Sequence, residues 1–177
     1  MIKTKFVSPM NKISLIFGGA KSGKSNYAEN LAIPYSNKIY IATAEARDEE
    51  MQKRIKNHQN QRDNNWHTIE EPIDLVPHLT KPYTENTVIL IDCMTIWLSN
   101  LMEKSLNITD KTDRLLNNLS NCSADVILVS NELGLSIVPE NALARAFRDE
   151  QGLLNQKLAK SATNVVFIAA GLPLILK

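Results

Sequence analysis

One stretch constrains this chain more than any other: Phe17-Gly18-Gly19-Ala20-Lys21-Ser22-Gly23-Lys24-Ser25, directly after the apolar run of residues 13–17. It satisfies the pattern G-x-x-x-x-G-K-[S/T], whose glycines let successive backbone N–H groups turn inward on a phosphate. Lys24 supplies a point charge for the outer phosphates, and the Ser25 hydroxyl is placed to ligate Mg²⁺. The pattern has weight only between a strand and an amphipathic helix. The apolar run is that strand. Tyr27, Ala28, Leu31 and Ala32 give a buried side to a helix that opens near Gly23 and is stopped by Pro34. The positive end of that helix faces the same anion. Residues Gly18 to Ser25 are therefore the expected nucleotide cradle, with ATP or GTP as ligand.

Residues 87–92, Thr-Val-Ile-Leu-Ile-Asp, form a continuous apolar run fit for a strand buried on both faces, and it closes on a carboxylate. Following a phosphate loop, Asp92 is the expected second Mg²⁺ ligand, opposite Ser25. Residues 38–43 are short, β-branched and aromatic and read as a further strand ending in Ala42-Thr43-Ala44. In open α/β sheets ligands sit beyond the carboxyl ends of strands. Position alone leaves these three as pocket lining or as a plain strand-to-helix turn.

The remaining chain alternates in the same way. Residues 66–71 form a short extended piece whose Glu70 and Glu71 read as solvated charges. Residues 96–104 form an apolar helix around Trp97, 107–113 a polar connector, and 113–121 a helix. Residues 125–130 make a buried strand followed by a long loop at its functional end. A final helix over 141–162 carries Leu143, Phe147, Leu154 and Leu158 as its stripe, and strands at 165–169 and 174–176 close the sheet. The last strand, reached through Gly171 and Pro173, is open to an antiparallel direction. The sum is an α/β, three-layer P-loop NTPase sandwich with a mostly parallel sheet: one domain over residues 13–177 behind a polar lead-in at 1–12.

Charge narrows the function. With 20 basic against 19 acidic residues the net charge is +1, so no global field holds nucleic acid or an anionic membrane. Cys93 and Cys122 are too few for a disulfide framework or zinc site and read as reduced thiols of a cytoplasmic protein, and no run is long enough to span a bilayer. His67 and His78 have no metal-ligand spacing. Residues 48–61 form a helix whose Met51, Ile55 and His58, continued by Arg62, fall on one stripe. By that pattern His58 is either a partly buried, satisfied imidazole or the point where a core face runs out into a cleft, and the first is the plainer reading. The residues alone leave the acceptor open: a plain small-molecule kinase and a nucleotide-binding switch both remain.

Taken together, the loop Gly18–Ser25, Tyr40-Ile41-Ala42-Thr43, Asp48-Glu49-Glu50-Met51, Arg54-Ile55 with His58 and Arg62, Trp66 with Thr68 and Glu70, and Asp92-Cys93 resemble a known family. So does the later series Ser130-Asn131-Glu132, Gly134, Ile137-Val138-Pro139-Glu140, Arg145, Phe147-Arg148-Asp149, Gly152 and Asn155-Gln156. The resemblance is to the bifunctional adenosylcobinamide kinase / adenosylcobinamide-phosphate guanylyltransferase family of cobalamin biosynthesis, over about 160 residues. It implies a RecA-like fold and a homotrimer, with the helix around Trp97 an interface candidate. It also implies phosphorylation of the aminopropanol hydroxyl of adenosylcobinamide, then GMP transfer from GTP through a guanylyl-histidine. His58 matches that histidine, which reverses the bland reading of its stripe. Ala42, Thr43, Ala44, Gln59, Asn60, Gln61, Arg62, Glu70 and Asp92 would complete the nucleotide site. Three departures are visible: Asn57 where some relatives have a second His, Lys21 where Arg is frequent, and Asp92 where some have Glu.

Overall fold

The computed structural model describes residues 11–45 and 65–177. The expected helix of residues 48–61, with Met51, Ile55, His58 and the segment 59–62, lies outside the described residues, as does most of the lead-in. One sheet is built from β1 (Ile13–Gly18), β2 (Asn37–Ala42), β3 (Trp66–Glu70), β4 (Thr87–Asp92), β5 (Asp125–Asn131), β6 (Asn164–Ala169) and β7 (Leu172–Ile175). The spatial order is β3-β2-β4-β5-β1-β6-β7. Neighbours are parallel except β6 and β7, which run antiparallel. The described helices are α1 (Lys24–Leu31), α2 (Val76–Leu79), α3 (Met94–Glu103), α4 (Ile108–Leu119) and α5 (Ala142–Ser161).

The central strands are apolar at most positions because both faces are covered, and strand periodicity divides their side chains between two cores. Leu15, Ile89, Ile91, Val126 and Leu128 pack with Trp97, Leu101, Leu115, Leu154 and Leu158 from α3, α4 and α5. Ile16, Val88, Leu90, Ile127 and Val129 pack on the other face with Ala28 and Ala32, at α1 and its C-cap. This is the expected three-layer sandwich.

Four local expectations need correction. The polar stretch after α3 is not a connector up to residue 113, since Asn107 caps α4 by accepting from the Asp110 N–H at 3.0 Å, so the helix starts at Ile108. Its Asn and Asp residues read as loop formers, yet a side-chain cap is what such residues do best. Trp97 is 1% exposed and donates its indole N–H to the Ile73 carbonyl at 2.9 Å, so it is core and not interface. Leu143, expected on the buried stripe of α5, is 69% exposed. Glu71 is half-buried and accepts from the Ile73 and Asp74 N–H groups at 3.0 and 2.8 Å. Burial alone would raise its pKa, but those two N–H groups and His78 outweigh it and hold the carboxyl below its usual value.

Candidate active site

The phosphate loop connects the end of β1 to α1, and neighbouring backbone leaves it little room. A Cβ on Gly18 would sit 2.3 Å from the Ile168 carbonyl oxygen of β6 and 2.9 Å from Ser22 Oγ. Gly23, the N-cap of α1, has φ 96°, a left-handed conformation that costs glycine little. Lys21 also has positive φ, at 55°. The turn joining β6 to β7 braces the loop, the Gly171 N–H donating to the Ser22 carbonyl at 2.8 Å. Ser22 Oγ is buried with no hydrogen-bond partner. A buried polar group without a partner is costly, so its presence inside an anion cradle fits a loop shaped to receive a polar ligand.

Lys24 is 9% exposed and its Nζ donates to the Gly19 carbonyl at 3.1 Å. Burial lowers its pKa, while Cys93 and Asp92 nearby oppose that shift. The ammonium and the Asp92 carboxylate thus share one electrostatic neighbourhood, as the two sides of a nucleotide-phosphate site require. One Asp92 oxygen, Oδ2, accepts from the Tyr40 hydroxyl of β2 at 3.0 Å. An ionised carboxylate has about four lone-pair sites, so one hydrogen bond leaves ample capacity for a cation or its water.

Thr43 holds the carboxyl ends of β2 and β4 together. Its buried hydroxyl donates to the Cys93 carbonyl and accepts from the Cys93 N–H, both at 2.8 Å, and its own N–H donates to the Asp92 carbonyl at 3.1 Å. The Asn100 amide of α3 donates to the Thr43 carbonyl at 2.9 Å and the Pro72 carbonyl at 3.1 Å. Cys93 caps α3, its sulfur accepting from the Ile96 N–H at 3.4 Å. Burial and the Asp92 charge push that thiol up to about 11, so it is a packing and capping group and not a nucleophile at neutral pH.

A second buried polar layer lies between β5 and α5. Ser130 Oγ donates to Asn155 Oδ1 at 2.7 Å, and Gln151 Nε2 donates to the same oxygen at 3.0 Å and to Ser130 Oγ at 2.9 Å. The Asn155 amide donates to the Asn131 carbonyl at 2.9 Å, and the Asn131 N–H donates to Thr95 Oγ1 at 2.8 Å. Asn131 pairs with Gly18, and the Glu132 N–H donates to the Gly18 carbonyl at 2.9 Å. Neither layer was read from the sequence. The signal was available: Gln151 falls between Phe147 and Leu154 on the apolar stripe of α5, where a polar side chain must find partners.

Of the residues expected at the nucleotide site, the structure brings Gly18, Gly19, Ala20, Lys21, Ser22, Gly23, Lys24 and Ser25 together with Thr43 and Asp92 at one end of the sheet. Ala42 pairs with both Glu70 and Asp92. Glu70 therefore stands one strand beyond Ala42, exposed, roughly 10 Å from Asp92 across the sheet at about 4.8 Å per strand. Ala44 follows Thr43 at the same end. His58, Gln59, Asn60, Gln61 and Arg62 lie outside the described residues.

The donor set suits Mg²⁺. The described residues contain no cluster of three or more His, Cys, Asp or Glu side chains able to cage a metal. Mg²⁺ takes one or two protein oxygens and fills its octahedron with water and nucleotide phosphates. Ser25 and Asp92 would hold it, and it would supply charge neutralisation on the phosphates.

Comparison with known proteins agrees with this geometry. By fold, the chain superposes on a Pyrococcus horikoshii OT3 protein with TM-score 0.55 at 9% identity, covering 95% of this chain and 87% of that one. It superposes on a prototypical ATPase from the type III secretion system of pathogenic bacteria with TM-score 0.56 at 10% identity, covering 94% and 57%. By sequence, the bifunctional adenosylcobalamin biosynthesis protein CobP of Pseudomonas aeruginosa is 42% identical over 166 residues, 92% of this chain and 96% of the relative. CobU of Escherichia coli, with the same description, is 36% identical over 180 residues, 92% of this chain and 98% of the relative. The profile of the family described as cobinamide kinase / cobinamide phosphate guanyltransferase matches residues 14–176, from the strand that enters the phosphate loop to the strand that closes the sheet, and the chain belongs to that family.

Proposed function

We propose that one nucleotide end serves two successive reactions. In the first, the aminopropanol hydroxyl of adenosylcobinamide attacks the γ-phosphorus of ATP or GTP, the bond to the β-phosphate oxygen breaks to release the nucleoside diphosphate, and the hydroxyl proton passes to solvent. Little covalent chemistry is asked of the protein in such a transfer; it positions the phosphates and neutralises charge. The backbone amides of the phosphate loop and the Lys24 ammonium do this work, with Ser25 and Asp92 as the ligands of Mg²⁺.

In the second, a His58 nitrogen attacks the α-phosphorus of GTP and pyrophosphate leaves. The phosphate of adenosylcobinamide-phosphate then displaces the imidazole, giving adenosylcobinamide-GDP. A neutral imidazole is a competent nucleophile, and the intermediate splits one difficult transfer into two easier ones. Guanylylation therefore declines as pH falls below the imidazole pKa, ordinarily about 6.5. Arg62 neutralises phosphate charge, and Glu70 accepts hydrogen bonds from the guanine edge or ribose. The protein works in the cytoplasm as a homotrimer. A surface for assembly is available at the edge strand β7, where Leu172, Leu174 and Ile175 are all exposed. No helix among the described residues is long and apolar enough to cross a membrane.

The observation that carries this reading is the family match, which continues well past the phosphate loop through residue 176. It is tested by incubating the protein with adenosylcobinamide, Mg²⁺ and ATP, then GTP, and following corrinoid mass. Addition of one phosphoryl group, then of GMP with release of pyrophosphate, is the expected result. Hydrolysis of nucleotide with the corrinoid unchanged would refute it.

A further inference from the structure

Most of the first half of α5 stands outside both cores, with Phe147 alone of its apolar side chains packed against the first. Asn164 at the start of β6 pairs with Ser14 near the start of β1, so α5 descends from the carboxyl edge of the sheet to its amino edge. Asn155 bonds to Asn131, the last residue of β5. Gln151 bonds to Ser130, still inside β5, so the helix from Ala142 to Gln151 extends up to about 14 Å past the sheet's functional end, at about 1.5 Å per residue. No residue from 141 to 150 is buried. The loop between β5 and α5 projects with it: Leu135 and Ile137 are 84% and 93% exposed.

This arm is held firmly in place. Ser130, Gln151 and Asn155 tie its root to β5, and Arg145 donates to the Pro139 and Glu140 carbonyls at 2.9 and 2.6 Å, closing loop onto helix. Between loop and helix lies an open cleft of about 500 Å³ lined by Ser136, Val138, Arg148, Asp149, Leu153 and Gln156. Its position is fixed by a short tether. Glu132 bonds to the Gly18 carbonyl of the phosphate loop, and Gly134, also in the cleft wall, is two residues on, no more than about 7 Å of chain.

We propose that this arm is the platform for the corrin ring of the acceptor, an inference that rests on the corrinoid reading above. The occupant follows from the chemistry of the surface and its place. The acceptor must reach the bound phosphates from beyond the carboxyl ends of the strands, and the arm is rooted there. A corrin macrocycle presents apolar faces and a rim of amides. The cleft offers matching groups: Val138 and Leu153 for a ring face, and Ser136, Gln156, Arg148 and Asp149 for amide donors and acceptors. In the second reaction the acceptor carries a phosphate monoester, and Arg148 is the cleft's cation.

The test compares the full-length protein with the double variant Val138→Asp/Leu153→Asp and the milder Gln156→Ala. Adenosylcobinamide binding is read by equilibrium dialysis of corrin absorbance, ATP binding by calorimetry, and particle mass by light scattering. All three positions are on the surface, so the fold is expected to survive, which thermal melting checks. The proposal predicts that the double variant binds adenosylcobinamide at least about tenfold more weakly, as loss of one apolar anchor implies, and Gln156→Ala several-fold more weakly. ATP affinity and particle mass should be unchanged, and the acceptor KM should rise far more than kcat falls. Unchanged corrinoid affinity would overturn the proposal. A fall in particle mass with the substitutions would also overturn it, assigning the face to subunit contact. Failure of the unsubstituted protein to bind adenosylcobinamide while it binds ATP would remove the corrinoid reading itself, a result distinct from either.

Discussion

Replacing Thr43 by Val keeps the volume of a fully buried side chain and removes one hydroxyl. That hydroxyl makes two hydrogen bonds of 2.8 Å to the same residue, Cys93. The consequences differ for the two partners. The Cys93 carbonyl keeps the Trp97 N–H at 3.1 Å as a second donor, so it loses one bond of two. The Cys93 N–H has the Thr43 oxygen as its acceptor and Cys93 is 6% exposed, so without that oxygen it is left dry and unpaired. An orphaned buried donor costs about 1–3 kcal/mol and a lost net hydrogen bond about 0.5–1.5 kcal/mol, giving roughly 2–4 kcal/mol in all. In urea, with a slope of about 2 kcal/mol/M, the unfolding midpoint should fall by about 1–2 M at unchanged slope. Thr43→Ser is the control, since it keeps the hydroxyl and loses a methyl worth about 1 kcal/mol. ATP affinity should fall with Thr43→Val as well, because the same lock sets Asp92. Equal midpoints for Thr43→Val and Thr43→Ser would refute the assignment of Thr43 as the β2–β4 lock.

Three further outcomes follow from the geometry. Gly18→Ala places a carbon 2.3 Å from the Ile168 carbonyl oxygen, so the loop must shift. Overpacking of this kind costs about 1–3 kcal/mol, and nucleotide affinity by calorimetry should drop roughly tenfold or more; affinity within twofold would contradict it. Tyr40→Phe removes the bond to Asp92 and should raise the Mg²⁺ concentration needed for tight ATP binding by about three- to tenfold, with Mg²⁺-free binding unaffected; an unchanged Mg²⁺ requirement would count against the positioning of Asp92 by Tyr40. Burial and a 2.6 Å bond to Asp125 push the Tyr35 phenol up to about 12 from 10.0. A pKa raised on folding stabilises fully below the unfolded value and the contribution is lost as pH rises through the folded one. Tyr35→Phe should therefore be less stable than the native chain at neutral pH, with the gap closing between pH 10 and 12; a gap constant to pH 12 would contradict the shift.

What could be read without coordinates was whatever rests on local pattern. The phosphate loop is a contiguous motif, and residues 87–92 carry the continuous apolarity of a two-faced buried strand, so the nucleotide end and the parallel sheet were both legible. The antiparallel β7 was legible as a direction left open after Gly171 and Pro173. What escaped depends on partners distant in sequence. Thr43 is an ordinary β-branched residue until Cys93, 50 residues away, is placed against it. Gln151 and Asn155 sit beside the apolar stripe of α5, which marks them as polar groups in need of partners, but only the placement of Ser130 beneath them shows what those partners are. Trp97 was misread for the opposite reason: its buried N–H has a partner in Ile73, 24 residues back, which no periodicity reveals. Leu143 keeps the helical spacing of a core residue, but α5 outruns the sheet it packs on, and only the placement of Gln151 and Phe147 shows where the core stops.

The central claim is that a histidine of this chain carries GMP between GTP and the corrinoid phosphate. It is tested most directly by incubating the native protein and His58→Ala with Mg²⁺ and GTP labelled at the α-phosphate, then measuring acid-labile, base-stable label on the protein. The account predicts label on the native chain and none on the variant, with nucleotide binding intact in both. An unlabelled native chain that still binds GTP, or a variant labelled as fully as the native chain, would contradict it.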